Sequence, residues 1–332
     1  MHPRYPTVPL AAVDIVIPDD FPPTYATLDQ VDLRRLAPYG AVHLHTSRAA
    51  DRAELLRRIA SAEVIINVRA HTLLDEEALA HAPGLRLISI LGTGTDNVDL
   101  SAARARGVSV TNTPGSGAAS VAELTLGLIL AVVRAIPLSD ARLRQGVWQH
   151  AEGPELEGKT LGVLGLGAIG GRVARMGRAL GMRVVAWSYS PDPARAAHLG
   201  VESLADPDEI FRQADILTLH LRNTPEVRGL VGRRTLGLMR RGAYLINTAR
   251  GALVDPDALA DALRTGHLAG AGLDVFTEEP LSADRNPFRE LSNVVLTPHI
   301  GAVTAEANTR SRALPVDNII AFLEGRPQNI VR

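Results

Sequence analysis

Leu161-Gly162-Val163-Leu164-Gly165-Leu166-Gly167-Ala168-Ile169-Gly170 is the stretch on which the fold turns. Its first four residues read as a buried strand, and the Gly-x-Gly-x-x-Gly that follows reads as a turn into a helix. Ile169, Val173, Met176 and Leu180, at offsets of 4, 3 and 4, line one face of that helix. The first glycine permits the tight turn and the second lets a pyrophosphate approach the backbone. The third lets helix and strand pack closely, with the helix N-terminus facing the anion. A lone glycine fingerprint is weak evidence. With a strand before it, a helix after it and a second strand at 183–187, it marks a dinucleotide cradle. Gly165, Gly167, Ala168, Ile169 and Gly170 are therefore the expected cofactor contacts.

The second strand ends at Ser188, where an Asp or Glu commonly grips the adenosine ribose hydroxyls. A serine cannot accept from both hydroxyls, and it does not repel a 2′-phosphate. Tyr189 and Ser190 follow it, and the nearest basic residue downstream is Arg195. NAD and NADP both stay open, with a lean to NAD.

Outward from the fingerprint, apolar runs at 161–164, 183–187, 216–220, 243–246, 270–275 and 294–296 alternate with helical patterns. A first alternation precedes it, with strands at 13–17, 64–68 and 85–91 and helices at 48–60 and 75–80. Such βα alternation predicts an α/β fold with parallel sheets covered by helices. The passage Asn112-Thr113-Pro114-Gly115-Ser116-Gly117 breaks the pattern, and a long helical segment follows over 118–136, with a second to 148. At 332 residues and 46% hydrophobic content the chain is long enough for two cores. A last helical stretch, 315–323, carries Val316, Ile319, Ile320 and Leu323 on one face. It belongs to neither alternation by position and is expected to fold back onto the first domain.

Three strand-end signatures carry the chemistry: Asn247-Thr248-Ala249-Arg250-Gly251, Asp274-Val275-Phe276-Thr277-Glu278-Glu279-Pro280 and Thr297-Pro298-His299-Ile300-Gly301. In open α/β sheets, ligands sit outside the carboxyl ends of the strands. One guanidinium, one carboxylate and one imidazole are thus delivered to one sheet edge, a set that binds an anionic carbonyl compound and moves a proton onto its oxygen. Singly, each residue has a plain structural reading. Arg250 is one of 34 arginines, Glu279 precedes a proline, and His299 is one of 10 histidines. Jointly they read as a site. His43 and His45 alternate on a strand without a third ligand in view, so no metal is expected. His220 reads as a structural hydrogen-bonding group, and Asp96 and Asp99 as caps of a helix beginning near Leu100.

Composition narrows the function classes. A net charge of −1 provides no field to gather nucleic acid or an anionic membrane. The absence of cysteine excludes disulfides, thiolate nucleophiles and Cys-ligated metal sites. Lys159, the one lysine, sits at a turn and is a poor candidate for Schiff-base or P-loop chemistry. No apolar leader opens the chain, and its longest apolar run, 124–133, is half of what a bilayer span needs. A cytoplasmic protein with a small-molecule substrate is expected.

The ordered motifs Gly165–Gly170, Thr248-Ala249-Arg250-Gly251, Asp274–Pro280 and Thr297–Gly301, with Gly92-Thr93-Gly94-Thr95-Asp96 and Val121-Ala122-Glu123, resemble the D-isomer-specific 2-hydroxyacid dehydrogenases. The resemblance implies two Rossmann-like or flavodoxin-like parallel-sheet domains with the active site in the cleft between them. Residues 1–112 with 301–332 would form a discontinuous substrate domain, and 113–300 the NAD(P)-binding domain. It implies Arg250 as the binder of the substrate carboxylate, His299 as the acid/base and Glu279 as its partner. Gly92, Thr93 and Gly94 would offer backbone N–H groups to the carboxylate. Asp274 would lie near the nicotinamide, and Thr248 and Arg222 in the cofactor cleft. Arg69 is a candidate for a second anionic group of the substrate, or a plain rim charge. A homodimer through the helical region 118–148 is likewise implied. The expected activity is NAD(P)-dependent reduction of a 2-oxo acid of glyoxylate, hydroxypyruvate or phosphoglycerate type. A formate-oxidising relative would carry Gln where Glu279 stands. A phosphite dehydrogenase-like enzyme and a non-catalytic NAD(H)-sensing protein stay as alternatives.

Overall fold

The computed structural model describes residues 12–26, 31–68 and 72–331. Contacts divide the chain into two units, 1–117 with 304–332, and 118–303. In the first unit the order is β1 (Val13–Ile17), α1 (Val31–Arg34), β2 (Gly40–Leu44), α2 (Arg52–Ile59), β3 (Val64–Asn67), α3 (Glu76–His81), β4 (Leu87–Ile90), α4 (Leu100–Ala105) and β5 (Ser109–Thr111). The second unit begins with α5 (Ala118–Val133) and α6 (Ile136–Arg144). It continues through β6 (Thr160–Leu164), α7 (Gly170–Ala179), β7 (Arg183–Trp187), α8 (Pro193–Leu199), β8 (Glu202–Ser203), α9 (Pro207–Gln213), β9 (Ile216–Leu219), α10 (Arg233–Leu238), β10 (Ala243–Asn247), α11 (Pro256–Arg264), β11 (Leu268–Leu273) and β12 (Val294–Leu296). The chain then returns to the first unit as α12 (Ala305–Leu323).

Both sheets are parallel throughout. The first has strand order β2-β1-β3-β4-β5, the flavodoxin-like arrangement, and the second has β12-β11-β10-β9-β6-β7-β8. Parallel strands covered on both faces read as continuous apolar runs, and β3, β4, β6 and β9 are buried at every position. Each sheet separates two apolar clusters. Phe211, Leu245 and Leu259 belong to one face of the second sheet, and Leu128, Val163 and Val173 to the other. Aspartates start the helices. Asp51, Asp75, Asp192, Asp206 and Asp255 each accept a first-turn amide hydrogen bond. Asp99 does the same for α4, accepting from the Ser101 and Ala102 amides; the cap is Asp99, not Asp96.

Two sequence expectations change. The edge strands β5 and β8 are short and were not marked by apolar runs. The last helix starts at Ala305 rather than at Pro315, which lies buried inside it. A proline's fixed φ suits a helix; its cost is one missing amide bond and crowding of the preceding turn. Here Val316 and Ile319 are fully buried beside it in the cluster around β1 and β3, and Ser89 Oγ of β4 donates to the Pro315 carbonyl at 3.1 Å. The helix therefore does pack on the first sheet. Among the described residues, no single helix is long and apolar enough to cross a membrane. Helices α5 and α6 reach that composition only as a pair bent by 60°.

Candidate active site

Register brings the signatures of the second unit to one edge. Leu164 of β6 pairs with Trp187 of β7 and Leu219 of β9, Leu219 with Asn247 of β10, Asn247 with Leu273 of β11, and Leu273 with Leu296 of β12. The residues just beyond those ends are Gly165, Ser188, His220, Thr248, Asp274 and Thr297. Chain order also reverses here, since β7 follows β6 on one side while β9 lies on the other. The glycine loop thus leaves the sheet at its topological switch point, where such folds bind ligands.

The loop is built by close approach. Gly165 has φ of +98°, and a Cβ on Gly170 would lie 2.0 Å from the Gly165 carbonyl oxygen. Only glycine lets α7 begin there. Gly167 and Ala168 are exposed, and Ile169, at the N-cap, makes no side-chain cap bond. The Gly171, Arg172 and Val173 amides donate to the Gly167 and Ile169 carbonyls, so the donors an anion would meet are the amides of Ala168, Ile169 and Gly170. Ser188 has a task that its sequence position did not announce. Its Oγ accepts from the Leu166 amide at 2.9 Å and so anchors the loop, while Arg195 Nη2 donates to the Gly167 carbonyl at 2.8 Å.

Beyond β10, Asn247 shapes the turn that presents Arg250. Its Oδ1 accepts from the Ala249 amide at 3.0 Å and its Nδ2 donates to the Arg250 carbonyl at 2.9 Å. Arg250 is half-buried, and its Nη1 donates to the Ala249 carbonyl at 2.7 Å. Thr248 is buried, with its hydroxyl 2.8 Å from that of Thr125 on α5. Thr125 donates its own proton to the Val121 carbonyl at 2.7 Å, so Thr248 is the donor of the pair.

His299 and Glu279 meet. Nδ1 of His299 lies 2.6 Å from Glu279 Oε2, and Glu279 Oε1 accepts from the Phe276 amide at 2.9 Å. A carboxylate only accepts, so Nδ1 carries the hydrogen and Nε2 is the nitrogen left for a reacting group. The bond to Glu279 holds the His299 pKa above its ordinary value, against burial and the charge of Arg250. Burial pushes the Glu279 carboxyl up, but the hydrogen bonds from His299 and the Phe276 amide outweigh it and hold it low. The charge of Arg250 acts on both members of the pair. Asp274, 1% exposed, directs both carboxylate oxygens at the 297–301 segment. Oδ1 accepts from Thr297 Oγ1 at 2.6 Å and from the Ile300 amide at 2.8 Å, and Oδ2 from the Gly301 amide at 2.9 Å. His220 makes the structural bond expected of it, Nε2 to Thr218 Oγ1 at 2.9 Å, and burial lowers its pKa to about 3, so it is neutral.

Arg222 is exposed on the loop after β9 and, among the described residues, makes no hydrogen bond to this set. In the first unit, the amide of Gly92 is already donated to Thr113 Oγ1 at 2.8 Å. Thr93 and Gly94 follow it on the same loop, where Asn112 Nδ2 holds the Thr93 carbonyl at 2.8 Å. Arg69 lies outside the described residues.

Residues 126–301 match the family model described as D-isomer specific 2-hydroxyacid dehydrogenase, NAD binding domain. The chain is 45% identical over 277 residues to a D-3-phosphoglycerate dehydrogenase of Mycobacterium tuberculosis, covering 83% of this chain and 52% of that one. It is 42% identical over 268 residues to a glyoxylate reductase of Aeropyrum pernix, covering 78% and 79%. The crystal structure of D-lactate dehydrogenase from Aquifex aeolicus, complexed with NAD and lactic acid, is 31% identical and covers 94% of this chain and 96% of that one, at a TM-score of 0.83. This chain belongs to the D-isomer specific 2-hydroxyacid dehydrogenase family. It spans about half the length of the phosphoglycerate dehydrogenases it matches.

In this dehydrogenase-family chain three polar contributors escaped sequence reasoning: Asn247 as the turn staple, Thr125 as the anchor of Thr248, and Thr297 as a donor to Asp274. Asn247 and Thr297 stand inside the quoted signatures, and a polar residue ending a buried strand was the available signal. Thr125 gave none, being 123 residues from its partner.

Proposed function

We propose that this family member is a nicotinamide-dependent oxidoreductase that interconverts a D-2-hydroxy acid and its 2-oxo acid, working chiefly as a 2-oxo acid reductase. The observation that carries the reading is the 2.6 Å His299–Glu279 pair on the sheet edge that also bears the glycine loop. That loop fits a dinucleotide, because no side chain is tolerated at Gly170 and the first turn of α7 starts without a side-chain cap. When bound, the nicotinamide supplies the hydride.

The chain's own groups do the rest. Arg250 binds the substrate carboxylate in two-point geometry, which orients the carbonyl. His299 holds a proton on Nε2 for the carbonyl oxygen, and Glu279 keeps the imidazolium charged and aimed. Ser188 carries no charge to repel a 2′-phosphate and no carboxylate to grip a ribose diol. We read NAD as the partner because no cation follows Ser188 directly. The substrate class spans the glyoxylate-like and phosphoglycerate-like acids that the relatives' names describe. We also read the exposed apolar side chains of Ile136, Leu143 and Trp148, the last 79% exposed, as a face that a second copy covers.

The test follows loss of reduced-nicotinamide absorbance with glyoxylate, hydroxypyruvate, pyruvate and a phosphorylated 2-oxo acid, with NADH and NADPH side by side. Turnover of one or more of these acids is expected. Tight cofactor binding without turnover across the panel would overturn the reductase reading in favour of a nucleotide-sensing protein.

A further inference from the structure

His299 has φ of +54°, in the left-handed region that side chains other than glycine rarely enter. Something in the surroundings must hold it there. The Thr297 amide donates to the Leu273 carbonyl at 2.9 Å, and the His299 amide donates to the Asp274 carbonyl at 2.9 Å, so the segment is laid along the end of β11. Asp274 is itself fixed to the sheet through its amide, which donates to the Asn247 carbonyl at 2.9 Å. Its carboxylate then draws together three donors from the residues flanking His299, at 2.6, 2.8 and 2.9 Å. The approach is tight. A Cβ on Gly301 would stand 3.0 Å from Asp274 Oδ2 and 3.2 Å from a Val121 methyl.

We propose that Asp274 is a positioning residue: its buried carboxylate clamps Thr297, Ile300 and Gly301 and so holds the His299 backbone in the conformation that brings the imidazole onto Glu279. The inference rests on the acid–base reading of His299. A charged carboxylate suits this task because both oxygens accept. An asparagine keeps one accepting oxygen but turns a donor N–H₂ toward the Gly301 amide, donor against donor. The charged groups that act on His299 are Glu279 after β11, Arg250 after β10 and Asp274 itself. Losing the clamp moves the ring relative to all three.

Two variants test this, Asp274→Asn and the milder Thr297→Val, which deletes one donor and leaves the carboxylate in place. In each, amide hydrogen exchange over 297–301 is followed by mass spectrometry, the His299 ring is titrated by NMR, and NADH affinity is measured by fluorescence. Both variants should exchange faster in that segment, by roughly 5- to 10-fold for one lost buried hydrogen bond. Both should move the His299 midpoint down toward that of a free histidine, with NADH affinity of Thr297→Val within about twofold of the parent. Unchanged exchange and an unchanged His299 titration in both variants would overturn the clamp, and a weakened NADH affinity alone would reassign Asp274 to a cofactor contact. These readouts need no turnover. A failed clamp is therefore distinguishable from a failed reductase reading, which the substrate panel reports.

Discussion

Glu279 Oε2 and His299 Nδ1 stand 2.6 Å apart although 20 residues separate them in the chain. The contact ties the exit of β11 to the exit of β12, and it couples two titrations. His299 is held above its ordinary value of 6.5, so what it contributes to folding is fully present below that pH and is lost as pH rises through the raised value. Glu279 is held below its ordinary 4.5, so its contribution is present above that pH and is lost as pH falls through the lowered value. Between the two, imidazolium and carboxylate coexist.

Reduction requires the protonated imidazole, so kcat/KM for a 2-oxo acid should fall as pH rises through the raised His299 value, and the oxidative direction should rise over the same range. Glu279→Gln removes the cause of the elevation, and its reductive profile should bend at lower pH than the parent's. His299→Ala should depress kcat by about 10²–10⁴. Paired pH–rate profiles of parent and E279Q check the first point; superimposable profiles would refute it.

Arg250→Lys keeps the charge but loses the planar fork. An ammonium cannot meet both carboxylate oxygens in the same geometry, so kcat/KM should drop by about 10- to 100-fold, mostly through KM. Steady-state kinetics on the best acid of the panel measure this. A change confined to kcat would point instead to a role at the carbonyl alone.

Ser188→Asp places a carboxylate where the serine hydroxyl now accepts from the Leu166 amide. The new oxygens can still anchor the loop, and they meet the ribose diol while repelling a 2′-phosphate. The ratio of NADH to NADPH affinity should rise by about tenfold or more, about 1.4 kcal/mol. Calorimetric dissociation constants for both cofactors decide it, and an unaltered ratio counts against placing the adenosine ribose at this residue.

Gly170→Ala inserts a methyl 2.0 Å from the Gly165 carbonyl, a distance only backbone movement can relieve. Overpacking of this kind costs about 1–3 kcal/mol, and the displaced helix start should weaken dinucleotide binding as well. Denaturant midpoints with and without NADH test both effects. A variant as stable and as tightly binding as the parent would show that α7 need not begin where it does.

Central elements were legible because burial on both faces of a parallel sheet leaves a continuous apolar run. Val13–Ile17 and Arg183–Trp187 appear in the structure with the bounds that pattern predicts. Two edge strands, Ser109–Thr111 and Glu202–Ser203, each pair with one neighbour and carry no such signature, whereas Val294–Leu296, also at an edge and half-buried, is apolar all the same. The start of the last helix was hidden by Pro315, whose local cost is offset by burial against the first sheet, a contact no local pattern encodes. Among site residues, the Gly92 amide meets Thr113, 21 residues away, a contact that no local pattern encodes.

Local information therefore settled most of the central elements, that both sheets are parallel, and that an arginine, a glutamate and a histidine leave strand ends. These follow from periodicity, glycine sterics and residue chemistry, all short-range. Tertiary structure alone decided what those groups touch: Asp274 on the segment around His299, Ser188 on the glycine loop, and Thr248 on α5. Hydrogen bonds act over about 3 Å, and only the registered stacking of β6, β9, β10, β11 and β12 brings such distant residues within that reach.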